Sequence, residues 1–136
     1  MGVLYSVIPL DEEVRNYLKK INIPFSNKAI NGRNPMPSEI RAALNSLIGY
    51  NIEYSENGIG KFWQAFIEGV DPNGEWTCLN ILNYEGEEIP QFIHFEKGWI
   101  ELAIKISTAL AVYCGTLVIF PDTGEEPFII TSEAER

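Results

Sequence analysis

The side chains of this chain best suited to nucleophilic or metal chemistry are one histidine and two cysteines. His94 lies in Ile89-Pro90-Gln91-Phe92-Ile93-His94-Phe95-Glu96, and Cys78 and Cys114 each sit inside an apolar stretch. A thiol beside an imidazole can ionise and act as a nucleophile. Period-two patterning places Cys78 and His94 on neighbouring strands of an expected meander, which makes them the candidate catalytic pair if the protein is a small enzyme. No local cysteine-nucleophile motif surrounds either residue, so the simpler expectation is a buried thiol and a half-exposed imidazole. With a carboxylate, His94, Cys78 and Cys114 match zinc in residue type but not in spacing. The expectation is no metal and no cofactor.

Three further short motifs are weaker still. His94-x-Glu96 matches half of the zinc-deaminase signature, but the Pro-Cys-x-x-Cys half is absent. Asn57-Gly58-Ile59-Gly60-Lys61 lacks the spacing and the strand-to-helix context of a phosphate loop and reads as a turn. Asp122-Thr123-Gly124 is the triplet of aspartic proteases, but it stands between two short apolar runs, with Pro121 before it and Glu125-Glu126 after it. A carboxylate dyad would need a second such loop. The stretch reads as a turn with glycine at the position that most needs positive φ.

Bulk properties set the frame for these residues. At 136 residues, 46% hydrophobic and 21% charged, the chain is expected to form one globular domain over residues 1–136. Its net charge of −9 is uneven: residues 1–50 hold four acids against six bases, residues 51–136 fifteen acids against four bases. Nucleic acid is disfavoured, because phosphate binding needs clustered Lys and Arg. A basic protein is the natural electrostatic complement. Val3 to Leu10 lacks the form of a signal peptide, and no apolar run approaches the ~20 residues of a membrane span. Met1-Gly2 with Ser6 fits a loose myristoylation pattern that a first strand explains equally well. The cysteines read as reduced core residues, and the expected location is cytoplasmic.

The elements that must position the candidate residues follow from periodicity and punctuation. Val3–Ile8 reads as a strand, and Asp11 caps a helix carrying Val14, Tyr17, Leu18 and Ile21 that Pro24 forbids to continue. After a loop over residues 22–36, Pro37 and Glu39 open a second helix whose apolar stripe is Ile40, Leu44, Leu47 and Ile48, with Gly49 as its stop. Four strands follow, over 50–55, 61–70, 75–84 and 89–96, separated by Asn57-Gly58, Asp71-Pro72-Asn73-Gly74 and Glu85-Gly86. A third helix, 99–114, is apolar almost all round, with Glu101 and Lys105 spaced to pair, and two last strands lie at 116–120 and 128–131. The tail from Ser132 is polar. The expected fold is α+β, a mainly antiparallel sheet in the order β-α-α-β-β-β-β-α-β-β, with the helices packed on one face.

If Trp63, Ala65, Ile67, Leu79, Ile81, Ile93 and Phe95 lie under the helices, alternation turns another set outward. That set is Phe62, Gln64, Phe66, Trp76, Cys78, Asn80, Phe92, His94 and Glu96, aromatic residues mixed with amides and charge as in binding surfaces. The competing expectation is that residues 116–131 or the 22–36 loop cover this face and make it a second small core. Glu85, Glu87, Glu88 and Glu96 form an acidic edge beside it. In size, acidity and α+β layout the chain resembles the small immunity proteins that neutralise bacterial toxins, a likeness of class that rests on no specific motif. The favoured expectation is a non-enzymatic, bacterial-type binding module that engages a basic partner protein through the aromatic face. The alternatives are a small enzyme or small-ligand protein built on Cys78 and His94, and a homo-oligomeric structural subunit that associates through the same face.

Overall fold

The computed structural model describes residues 3–26, 28–71 and 74–131. The Met1-Gly2 terminus, the centre of the Asp71–Gly74 turn and the tail from Ser132 lie outside the described residues. Within them the element order is β1 (Leu4–Pro9), α1 (Glu12–Lys20), α2 (Pro37–Asn45), β2 (Tyr50–Glu56), β3 (Trp63–Gly69), β4 (Trp76–Ile81), β5 (Ile93–Glu96), α3 (Ile100–Cys114), β6 (Leu117–Pro121) and β7 (Phe128–Ile130). This is the expected order. The seven strands form one antiparallel sheet arranged β2-β3-β4-β5-β1-β6-β7. The meander β2 to β5 is local, whereas β1 is inserted between β5 and β6, with Leu4 opposite Glu96 and Pro9 opposite Leu117.

The core forms where the alternation of the strands places it. Trp63, Ala65, Ile67, Leu79, Ile81, Ile93 and Phe95 are all buried, and they pack with α2 through Ile40 and Leu44 and with α3 through Leu102, Ile106 and Leu110. The expectation that all helices share one face holds for α2 and α3 only. Leu18 of α1 packs with Leu10, Ala29 and Val118, and Tyr17 meets Phe120 at 6.0 Å between ring centroids. Val118 and Phe120 alternate with Leu117 and Ile119, so α1 lies on the opposite face, at the β6–β7 end.

The first two helices have readable starts. The Asp11 carboxylate accepts from the Val14 amide at 2.9 Å, and Glu39 accepts from the Met36 amide at 3.0 Å while Arg33 clamps both of its oxygens. Helix α2 ends at Asn45, earlier than its apolar stripe predicts: Leu47 reaches the core, and Ile48 stands almost fully exposed. Lys105 donates to the Tyr50 hydroxyl at 2.9 Å, and that hydroxyl donates to Glu75, so the lysine serves the sheet rather than Glu101.

The connection from α1 to α2 has to pass from one face of the sheet to the other. It does so at the end of β1 and β6, where Gly32 donates to Leu10 and Arg33 donates to Cys114. A Cβ on Gly32 would stand 2.1 Å from the Thr116 carbonyl oxygen, and one on Gly115 would stand 2.6 Å from that of Asn31. The two backbones cross in contact, which only glycine permits.

Candidate functional site

Two expected strands are shorter than their sequence patterns. The strands expected over 75–84 and 89–96 shrink to Trp76–Ile81 and Ile93–Glu96, and residues 82–92 form a folded loop organised by Gln91. The buried Gln91 side chain accepts from the Glu85 amide at 2.8 Å and donates to the carbonyls of Gly86 and Ile89 at 2.9 and 2.8 Å. It thereby replaces the ladder that a hairpin would have supplied. The loop is also anchored outward: Arg41 binds Glu87 at 2.7 Å, Tyr84 donates to Glu87 at 2.6 Å, and Ser38 donates to Glu88 at 3.2 Å. The Arg41 guanidinium stacks over Tyr54 and Trp63 and also pairs with Glu56. Beside it, Glu87 is held below the usual glutamate range. The acidic edge expected from Glu85, Glu87, Glu88 and Glu96 is therefore partly spent inside the fold.

The sheet face turned away from α2 and α3 is built in cross-strand rows. Gln64, Asn80, His94 and Ser6 stand opposite one another in one row, and Phe66, Cys78, Glu96 and Leu4 in the next. Gln64 donates to Asn80 at 2.9 Å, and the buried Asn80 donates to Glu96 at 3.4 Å, so the amides position the carboxylate. Phe66 packs against Trp76 with centroids 5.9 Å apart. The last strands extend the sheet beyond β1, and Ile23, Phe25 and Ala29 of the 22–36 connection pack with Val118, Phe120 and Ile129. Neither segment covers the face between β2 and β5 among the described residues.

A groove of about 860 Å³ opens on this face. Leu4, Ser6 and Ile8 of β1 and His94 and Glu96 of β5 line it, and Asn34, Leu82, Glu85, Gln91 and Phe92 bound it. Phe92 is 65% exposed and Leu82 71%. Of the expected binding residues, Phe92, His94 and Glu96 line the groove, whereas Gln64, Phe66, Trp76 and Asn80 lie beside it on the same face. Phe62, just before β3, is also outside the lining. The contribution of β1 is absent from the sequence reading, because nothing local reveals that residues 4–8 neighbour residues 93–96.

The electrostatics of the groove are one-sided. Glu85 and Glu96 line it, and Lys and Arg do not. Burial lowers the His94 pKa below its ordinary value, with Glu96 partly offsetting the shift, so the imidazole is neutral at pH 7. Burial raises the Cys78 thiol, and the charge of Glu96 pushes it the same way. Cys78 stands opposite Glu96 and not His94, so Cys78 and His94 are diagonal neighbours, with backbones about 7–8 Å apart in such a ladder. That environment favours the thiol over the thiolate. Cys114 belongs to the other face: it donates to the Leu110 carbonyl at 3.3 Å, and burial pushes it up to about 12. The sheet thus separates the two cysteines. No group of three or more metal-ligating side chains occurs among the described residues, and no described helix is long and apolar enough to cross a membrane.

Comparison with protein-family models, with curated proteins and with solved structures gives no match.

Proposed function

We propose that this protein is a non-enzymatic acidic binding module that engages a basic partner protein through the helix-free part of its sheet, as an immunity-type protein would engage a toxin. The observation that carries this reading is the groove between β1 and β5. It exposes Phe92 and Leu82, is bordered by Glu85 and Glu96, and has no lysine or arginine in its lining. Exposed large apolar side chains rimmed by polar groups of one sign are what a docking surface presents. The raised Cys78 thiol and its placement opposite a carboxylate favour binding over nucleophilic chemistry. The basic partner and the cytoplasmic setting belong to this proposal.

The test is retention of proteins from native host lysate on tagged wild type and on Phe92→Lys, at low and at high salt. Phe92 is exposed, so the substitution leaves the core intact. The expected result is a basic protein held by wild type, released at high salt as the Debye length shrinks from about 10 Å to about 3 Å, and lost from the variant. Retention that ignores both salt and Phe92→Lys would reject the reading. Light scattering on the same samples addresses the alternative of a structural subunit: an oligomer that Phe92→Lys dissolves would favour self-association.

A further inference from the structure

The sheet has a long open edge. β2 is its outermost strand and pairs only with β3, in an unbroken register from Tyr50 opposite Gly69 to Glu56 opposite Trp63. One pair further out, the Val70 amide donates to the Gly49 carbonyl at 3.0 Å. Hydrogen-bonded pairs alternate in an antiparallel ladder, so Asn51, Glu53 and Ser55 direct their backbone groups to β3, and Tyr50, Ile52, Tyr54 and Glu56 turn theirs to the open edge. Proline, lysine and bulges, which blunt such edges, are absent from β2. Its charges are mixed: Lys105 donates to the Tyr50 hydroxyl at one end, Arg41 pairs with Glu56 at the other, and Glu53 stands exposed between them. A guest strand of one charge sign finds no match there.

We infer that β2 pairs antiparallel with β2 of a second copy of this chain, Ile52 opposite Ile52 about a two-fold axis, so that the two sheets become one. The occupant has to be a strand, because the edge offers backbone N–H and C=O groups at every second residue. The two-fold registers that use the middle of β2 differ in what they bring together. Centred on Glu53, the pairing sets that carboxylate against its own copy, and centred on Tyr54 it sets Glu56 against Ile52. Centred on Ile52, it sets Glu53 opposite Asn51 and Tyr50 opposite Tyr54, and forms about six backbone hydrogen bonds. Tyr50, Ile52 and Tyr54, which pack against the core of their own copy, then meet their equivalents on the helix side. Because opposite residues share a face, both grooves open on the other side, each separated from the junction by β3 and β4. The dimer therefore offers a partner two docking sites, whatever the groove binds.

The experiment is sedimentation velocity of the full chain from micromolar to millimolar concentration, in salt whose Debye length of about 8 Å screens the repulsion between two acidic chains. Wild type is expected to pass from monomer to dimer. Asn51 is exposed and faces Glu53 of the second copy twice per dimer, so Asn51→Lys should tighten the dimer about threefold or more and Asn51→Glu should loosen it about threefold or more. Amide hydrogen exchange supplies the residue pattern: Ile52 and Tyr54 gain protection as the dimer forms, whereas Asn51 and Glu53, already bonded to β3, do not change. Wild type and Asn51→Lys both monomeric at millimolar concentration, a dimer indifferent to both substitutions at Asn51, or a dimer that Phe92→Lys dissolves would overturn the inference. Phe92→Lys leaves the β2 edge intact, so release of a lysate partner by that variant and loss of the dimer at Asn51→Glu are separate results, and either reading can fail without the other.

Discussion

His94 is the residue whose chemistry a solution experiment can read most directly. Its imidazole is half-buried, with Ser6 and Asn80 opposite it and Glu96 two residues on, and burial holds its pKa below the ordinary value near 6.5. A base with a depressed folded pKa binds fewer protons folded than unfolded, so its contribution to stability is complete above about pH 6.5 and is lost as pH falls from there to the folded pKa. Glu39 and Glu87, lowered by Arg33 and Arg41, act in a separate window: their contribution is present above about pH 4.3 and is lost as pH falls through their folded values. Urea midpoints measured from pH 8 to pH 2 should therefore decline in two stages, and His94→Gln should remove the upper one while leaving the lower. An unchanged upper stage in the variant would show that His94 is not its source. The sequence placed His94 on the correct face but showed no sign of Gln91, whose role lies in the hydrogen bonds it makes within a loop that periodicity reads as strand.

At the scale of elements, the helices and the meander were legible because their signals are local: a cap at Asp11, Pro37 at a helix start, alternation along β3 and β4. The side of the sheet that α1 takes was not legible, because it depends on how the 22–36 connection crosses the sheet end. That crossing is where a small substitution should cost most. Gly32→Ala would press a methyl group into the Thr116 carbonyl and force the two backbones apart, an effect of about 3 kcal/mol or more. Gly124→Ala, in the exposed turn after β6, has a positive φ of +84°, which Gly32 lacks, but meets nothing within 4 Å, and should cost only about 1 kcal/mol. Denaturation curves of the two variants give the comparison, and equal losses would contradict the close crossing. The Asp122-Thr123-Gly124 triplet accordingly has a conformational role, as a turn linking β6 and β7.

For the whole molecule, the candidate site was half visible in the sequence. The β5 side of the groove follows from alternation, whereas the β1 side requires a pairing between residues distant in the chain that no periodicity encodes. That pairing has a consequence for how the protein comes into being. β2 to β5 can assemble by neighbouring hairpins, but β1 has to wait for both of its neighbours, and β6 is made last of the three. Long-range pairings slow folding, so refolding followed by tryptophan fluorescence should fall in the range of milliseconds to seconds rather than microseconds. A microsecond phase carrying the whole amplitude would refute this. On a ribosome working at roughly 5–20 residues per second, residues 4–9 would stay unpaired for roughly 4–17 s until residues 93–96 emerge. During that interval the two walls of the groove cannot meet, so a nascent chain would be unable to capture a partner until β5 had been synthesised.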